Sequence, residues 1–214
     1  MKYNRLSKYY NQFVFYKEKH GYFGLFSRIF TKLRWAVDKK EILYYFNLDR
    51  DFEYVDDDLI LKSYSSIDDL SLHEKKGILE NNKNEEVLNS FLLDLFKRGG
   101  TLWLAISKEE VVGLLWTFRR GFKGFYSVPL TLNEYTVVAV EVFPRFRGRN
   151  FNPRMLKLIC MKLREKGGNK IYLTIHYLNR PMLISIEKTE AIKIGDVRTF
   201  DVFKRKITIW SKIY

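Results

Sequence analysis

The spacing of apolar residues alternates along the chain between the two-residue repeat of strands and the three-to-four-residue repeat of helices. Short β-branched or apolar runs predict strands at residues 41–46, 59–62, 101–106, 111–118, 135–143, 171–175, 197–203 and 206–210. Helical spacing predicts helices at residues 85–98, after Asn150, and from Pro181 to about Thr189, with Ser66 as a further N-cap. This order predicts an α/β (α+β) fold, with a mixed sheet and a parallel crossover in its middle.

Residues 1–56 are predicted to form a basic extension of a domain that comprises residues 57–214. Within residues 26–37, apolar side chains recur at helical spacing with arginines and a lysine between them, which predicts an amphipathic helix with a basic face. Such a helix would suit weak contact with an anionic membrane surface. The alternative is that its apolar face packs on the body of the protein or on a second subunit. We expect the apolar face to pack in one of these two ways, because a soluble chain normally buries such a stripe. Packing on a second subunit would make the protein a homodimer, which is the oligomeric state we expect.

Composition narrows the class of protein. An apolar fraction of 46 % supports a sizeable core, and a net charge of +13 attracts anions such as nucleic acid, anionic lipid or phosphorylated small molecules. The basic residues are spread out and no familiar nucleic-acid motif is visible, so we expect no nucleic-acid partner. The single cysteine, Cys160, indicates a reducing compartment and no cysteine-rich metal site. The sequence shows neither a secretory signal nor an apolar stretch of 18 residues, so we expect a cytoplasmic protein. We also expect no bound metal.

The most informative segment is residues 140–150, where a strand ends, a basic turn follows and a helix begins. Unpaired amides and the helix dipole make a helix start attractive to anions. Gly148 allows the backbone to approach such an anion closely, and Arg145, Arg147 and Arg149 add positive charge. This pattern favours a pyrophosphate cradle. It lacks the glycines and lysine of the known nucleotide loops. The alternative is an ordinary strand-to-helix turn with solvated arginines.

The same segment resembles motif A of the GNAT acyltransferases, in which Gln/Arg-x-x-Gly-x-Gly/Ala joins a strand to a helix and holds the pyrophosphate of acyl-CoA. The matching residues are Arg145, Gly148 and Asn150, with asparagine in place of the last glycine or alanine. The resemblance covers residues 57–214. It implies a mixed, mostly antiparallel sheet with a central parallel β-α-β crossover, flanked by helices. The coenzyme-binding residues that it implies are Val142, Arg145, Arg147, Gly148, Arg149, Asn150, Phe151 and Asn179.

The resemblance further implies transfer of an acyl group from acyl-CoA, the cosubstrate, to an amine that attacks the thioester directly. We expect Glu141 to be the base that takes the amine proton, with His176 as the second candidate. In the family a tyrosine seven residues after the asparagine protonates the leaving thiolate. That position is Ile186 here, and Tyr177, Ser185 or water are the candidates to replace it.

Cations mixed with aromatic residues between the third and fourth strands of the predicted domain suit a nucleotide. There Arg119, Arg120 and Tyr126 are the expected acceptor-binding residues. The basic extension resembles GNAT members of surface-polysaccharide pathways, which N-acylate amino sugars linked to dTDP or UDP. Such a small nucleotide-linked amino sugar is therefore the expected acceptor. A peptide N-terminus, a polyamine or an antibiotic are the alternatives within the family. A non-enzymatic membrane-surface or nucleic-acid-binding protein is the alternative outside it.

Overall fold

The computed structural model describes residues 40–50, 52, 58–80, 85–121, 128–202 and 205–213. The chain divides into two units, Met1–Lys40 and Glu41–Tyr214, and the description that follows concerns the second. The amphipathic helix predicted for residues 26–37 lies outside the described residues. No helix within the described ranges is long and apolar enough to cross a membrane.

The described residues form strands and helices in nearly the predicted order. The strands are β1 (Lys40–Asn47), β2 (Leu59–Tyr64), β3 (Thr101–Ser107), β4 (Glu110–Phe118), β5 (Glu134–Val142), β6 (Lys170–His176), β7 (Ile192–Val202) and β8 (Arg205–Ile213). The α-helices are α1 (Leu72–Glu80), α2 (Glu85–Lys97), α3 (Phe151–Glu165) and α4 (Arg180–Ile186), and short 3-10 turns occur at Ile67–Asp69 and Pro144–Phe146. Ser66 caps the 3-10 turn as the N-cap prediction has it, but the α-helix that follows, α1, begins only at Leu72, and its buried residues are only Glu74 and Ile78.

All eight strands belong to one mixed sheet in the order β2-β3-β4-β5-β6-β1-β7-β8. The pair β5–β6 is parallel and is connected through α3, which confirms the predicted crossover. Antiparallel pairing joins β1–β6, β2–β3, β3–β4, β4–β5 and β7–β8. The mostly antiparallel mixed fold that the sequence predicts is therefore confirmed.

Strand β1 lies inside this sheet rather than at its edge. It runs antiparallel to β6, from Glu41 opposite His176 to Asn47 opposite Lys170, and its other neighbour is β7. The sequence analysis assigned residues 41–46 to the extension, because they precede the resembling segment. Their pairing makes this strand part of the sheet, and the described domain therefore begins before residue 57.

Helices cover both faces of the sheet. Trp116 of β4 packs edge-on against Phe96 of α2, with ring centroids 4.7 Å apart. Trp103 of β3, opposite Leu115 in the register, lies beneath the ammonium of Lys166 at the end of α3, 4.6 Å from the ring centroid. Because adjacent strand residues point to opposite faces, α2 and the end of α3 lie on opposite sides of the sheet.

The parallel strands β5 and β6 separate toward their carboxyl ends. Their register runs only from Glu134 opposite Lys170 to Val137 opposite Leu173. Just beyond it, the register of β5 with β4 shifts, and Ala139 takes a φ of 53°, as in a β-bulge. The last residues of β5 therefore leave β6, and a wedge opens between the two strands.

Candidate functional site

The wedge leads to the turn between β5 and α3, whose backbone conformation suits anion binding. Gly148 has a φ of 80° and Asn150, the N-cap of α3, a φ of 57°. Asparagine enters this left-handed region more readily than most residues. Asn150 makes no side-chain cap, and the first amides of any α-helix lack intrahelical acceptors. The turn thus presents N–H groups at the positive end of a 15-residue helix.

A cavity of about 470 Å³ lies between this turn, the end of β5 and helix α4. It contains six of the eight expected coenzyme-binding residues: Val142, Arg147, Gly148, Asn150, Phe151 and Asn179. Glu141, the first candidate for the base, also lines it. Positions that are far apart in the sequence therefore meet in one cleft, with an electropositive turn at one end and the parted strands at the other.

Of the three arginines in the turn, only Arg147 lines this cavity. Its Nε donates a hydrogen bond of 3.0 Å to the carbonyl oxygen of Val142, which fixes the guanidinium beside the cleft. Arg145 instead forms an ion pair with Glu110 and lies over the ring of Phe146, 4.8 Å from the centroid. The guanidinium of Arg149 lies 5.9 Å from the centroid of the same ring. Of the three arginines expected at the anion site, Arg147 is the one that the structure places in this cavity, and the part of Arg145 and Arg149 stays a prediction.

Helix α4 closes the other side of the cleft. Asn179 caps it by accepting a hydrogen bond of 3.4 Å from the amide of Met182. Two residues beyond the helix, Lys188 donates a hydrogen bond of 2.8 Å to Oδ1 of Asn150 and places a second cation beside the turn. The sequence analysis did not include Lys188 among the site residues, although its spacing nine residues after Asn179 is a usable signal.

The two candidates for the base have different surroundings. Glu141 is half-buried and lines the cavity at the wedge. His176 ends β6 and does not line this cavity, and its Nδ1 accepts a hydrogen bond of 3.2 Å from the amide of Leu178. Glu141 is therefore the candidate that the structure places in the cleft, and the role of either residue as the base stays a prediction.

The expected acceptor residues are not part of the cavity. Arg119 is exposed and its guanidinium stacks on Tyr135, 5.0 Å from the ring centroid. Arg120 is also exposed, and Tyr126 lies outside the described residues. Their part in acceptor binding stays a prediction.

The model of the acetyltransferase (GNAT) family matches residues 66–184, which is more than half of the chain. The chain belongs to this family. No curated protein sequence matches it.

Solved GNAT structures share the fold at low sequence identity. A GNAT acetyltransferase from Colwellia psychrerythraea is 12 % identical, with a TM-score of 0.51 over 86 % of this chain and 61 % of its own. A tandem GNAT protein from the clavulanic acid biosynthesis pathway is 13 % identical, with a TM-score of 0.53 over 82 % of this chain and 54 % of its own. A glucosamine N-acetyltransferase region of a fungal multi-domain β-N-acetylglucosaminidase is 12 % identical, with a TM-score of 0.52 over 74 % and 20 %. This chain spans less than two thirds of each of these proteins.

The GNAT pattern fits the cavity when it begins at Arg147 rather than at Arg145. Arg147, Asn150 and Asn152 then occupy the arginine and the two glycine positions, and all three line the cleft. The left-handed backbone of Asn150 takes over what a glycine there would do. In the register that begins at Arg145, Gly148 takes the first glycine position, but Arg145 itself does not line the cleft. Ser185, one of the candidates to protonate the leaving thiolate, also lines the cavity, as do Asn152 and Met182, which were not among the expected site residues.

Proposed function

We propose that this GNAT protein is an N-acyltransferase that uses acyl-CoA. The observation that carries the proposal is the continuity of the cleft, which runs from the amides of the α3 turn to Glu141 at the parted strands. Arg147 and Lys188 and the helix dipole suit a diphosphate at one end. Val140, Phe146 and Phe151 supply apolar wall for an extended arm. The residues present thus fit the coenzyme.

Bound acyl-CoA would supply an activated thioester carbonyl, and the chain's own groups would act on it. The amide of Phe143 donates to the carbonyl oxygen of Val112 on β4, at 3.0 Å. Because successive amides of a strand point to opposite sides, the amide of Val142 points away from β4, toward the wedge. It is therefore the donor we assign to the carbonyl oxygen as negative charge develops there.

Glu141 is the group we assign to the proton of the attacking amine, either directly or through one water molecule. The amine must lose a proton to become a nucleophile, and a half-buried carboxylate at the wedge is placed to accept it. Replacing Glu141 by glutamine is expected to lower kcat about 100-fold at neutral pH, with a smaller loss at high pH, where more of the amine is already neutral.

For the acceptor, we propose the amino group of a dTDP- or UDP-linked amino sugar. The proposal is supported by the net charge of +13 and by the exposed cations Arg119 and Arg120, which suit the phosphates of a nucleotide. One of the proteins that share the fold is described as a glucosamine N-acetyltransferase, so the fold accommodates an amino-sugar acceptor in that protein.

Two measurements test these assignments. Isothermal titration of CoA should show binding to the wild-type protein, roughly tenfold weaker binding to Arg147→Ala, and nearly unchanged binding to Arg145→Ala, the matched control. Equal effects of both substitutions would contradict the geometry, and no binding to the wild type would refute the proposed function. Mass spectrometry with acetyl-CoA and panels of nucleotide amino sugars, peptides, polyamines and aminoglycosides should then show acylation of a nucleotide amino sugar. Acylation confined to another panel would refute the proposed acceptor.

A further inference from the structure

Two buried polar atoms in the cleft have no hydrogen-bond partner within the described part of the chain. They are Oγ of Ser185, on α4, and Oδ1 of Asn152, in the first turn of α3. Ser185 is only 8 % exposed, and both residues line the cavity. Buried polar groups in folded proteins are nearly always hydrogen-bonded, so two such atoms in one cleft indicate a partner that comes from outside the chain.

Contacts between α3 and α4 locate these atoms along the cleft. At the anion end, Lys188 bonds Asn150. In the first turn of α3, Nδ2 of Asn152 approaches Sδ of Met182 on α4 at 3.0 Å. Ser185 lies on α4 three residues after Met182, hence on the same helix face and about 4.5 Å along the axis from it. Both unpaired atoms therefore lie where α3 and α4 meet, in the cavity that also contains the anion-binding turn and Glu141.

The chemistry of the pair defines what would satisfy it. A serine hydroxyl can donate a hydrogen bond, whereas the amide oxygen of asparagine can only accept one. A secondary amide offers the complementary groups, a carbonyl oxygen and an N–H. The pantetheine arm of coenzyme A contains two secondary amides between its diphosphate and its sulfur.

We propose that Ser185 and Asn152 form a two-point subsite that binds a secondary amide of the pantetheine arm. This inference rests on the proposed function. It assigns a contact that the family pattern lacks, because the pattern has glycine or alanine, without a polar side chain, where this chain has Asn152. The side chain that departs from the pattern thus contributes to binding of the coenzyme.

The test compares coenzyme fragments by isothermal titration. Ser185→Ala and Asn152→Leu should each weaken CoA binding about five- to tenfold. Neither should change the affinity for adenosine 3′,5′-diphosphate, which has no pantetheine arm. Ser185→Thr, which keeps a hydroxyl, should retain more affinity than Ser185→Ala. Ser63→Ala, an exposed serine in β2, is the matched control and should bind both ligands as the wild type does.

Two results would overturn the amide subsite: unchanged affinity of Ser185→Ala for CoA, or an equal loss of its affinity for adenosine 3′,5′-diphosphate. Titration of desulfo-CoA adds a further check. If the wild type prefers CoA over desulfo-CoA and Ser185→Ala loses that preference, Ser185 serves the sulfur and the amide subsite is wrong. Failure of the wild-type protein to bind CoA would instead refute the proposed function.

Discussion

Gly113 on β4 is the residue whose replacement should show whether the bulged end of β5 must stay where it is. A β-carbon added at Gly113 would lie 2.4 Å from the carbonyl oxygen of Glu141 and 3.2 Å from the α-carbon of Val142. It would also lie 3.2 Å from Sδ of Met155. Two of these three atoms belong to backbone, so a change of side-chain rotamer cannot relieve the clash. Gly113→Ala must displace the strand.

The size of the effect follows from the distances. To bring the Glu141 oxygen to 3.0 Å, the limit of real β-carbon contacts, the strand must shift by about 0.6 Å. Overpacking of this kind costs about 1–3 kcal/mol, which corresponds to a fall in Tm of about 2–12 °C for a protein of this size. A misplacement of 1 Å at a reacting centre can cost about 100-fold in rate, so we expect kcat/KM for acyl-CoA to fall roughly tenfold or more.

Thermal unfolding and acyl-CoA titration would measure both effects, and Gly77→Ala in α1 is the control. A β-carbon at Gly77 would also be crowded, at 2.9 Å, but only by the side chain of Val111, and Gly77 does not line the cavity beside the α3 turn. Gly77→Ala should therefore change Tm without changing the affinity for acyl-CoA. A Gly113→Ala protein with the wild-type Tm, or with a lowered Tm and intact kinetics, would refute the reasoning.

Three further outcomes are expected. Gly148→Ala meets no atom within 4 Å, so its penalty is only that of a positive φ, about 1 kcal/mol, and affinity for adenosine 3′,5′-diphosphate should fall while Tm changes little. Tyr64→Phe removes a hydrogen bond to the buried carboxylate of Glu74 and should destabilise the protein by about 1 kcal/mol in urea unfolding. Burial acts to raise the pKa of Glu74, but the hydrogen bonds of Tyr64 and Ser71 and the charge of Lys62 outweigh it and leave the pKa below 4.5. The stability from Glu74 should therefore be complete above about pH 4.5 and fall as the pH drops through the folded pKa, and Tyr64→Phe should flatten this dependence. An acid-unfolding curve identical to that of the wild type would contradict this account.

Local pattern predicts most of the fold. The strands and α3 carry strong apolar repeats, so their positions follow from side-chain periodicity alone. Helix α1 does not have such a repeat, because one of its two buried residues is Glu74, held by Tyr64, Lys62 and Ser71. Partners on β2 stabilise the buried carboxylate of Glu74, and the apolar pattern of the sequence carries no information about those partners.

The site was predictable in position but not in detail. A basic turn between a strand and a helix identifies the anion end of the cleft. Which arginine faces it depends on Glu110, across the sheet on β4, which takes Arg145 away from the cavity. Likewise the pairing of Ser185 with Asn152 emerges only when both side-chain oxygens are found buried without a partner among the described residues. Both facts arise from long-range packing.

The interior position of β1 has a consequence for how the chain acquires its structure. This strand comes more than 120 residues before its neighbours, β6 and β7, in the chain. Pairing between such distant segments slows folding, and this part of the sheet cannot close until β6 and β7 have been synthesised. A protein shortened to begin at residue 57 would leave β6 and β7 each with an unsatisfied edge, and such edges recruit other chains. Such a shortened protein is therefore expected to aggregate, and expression of the isolated GNAT segment should include β1.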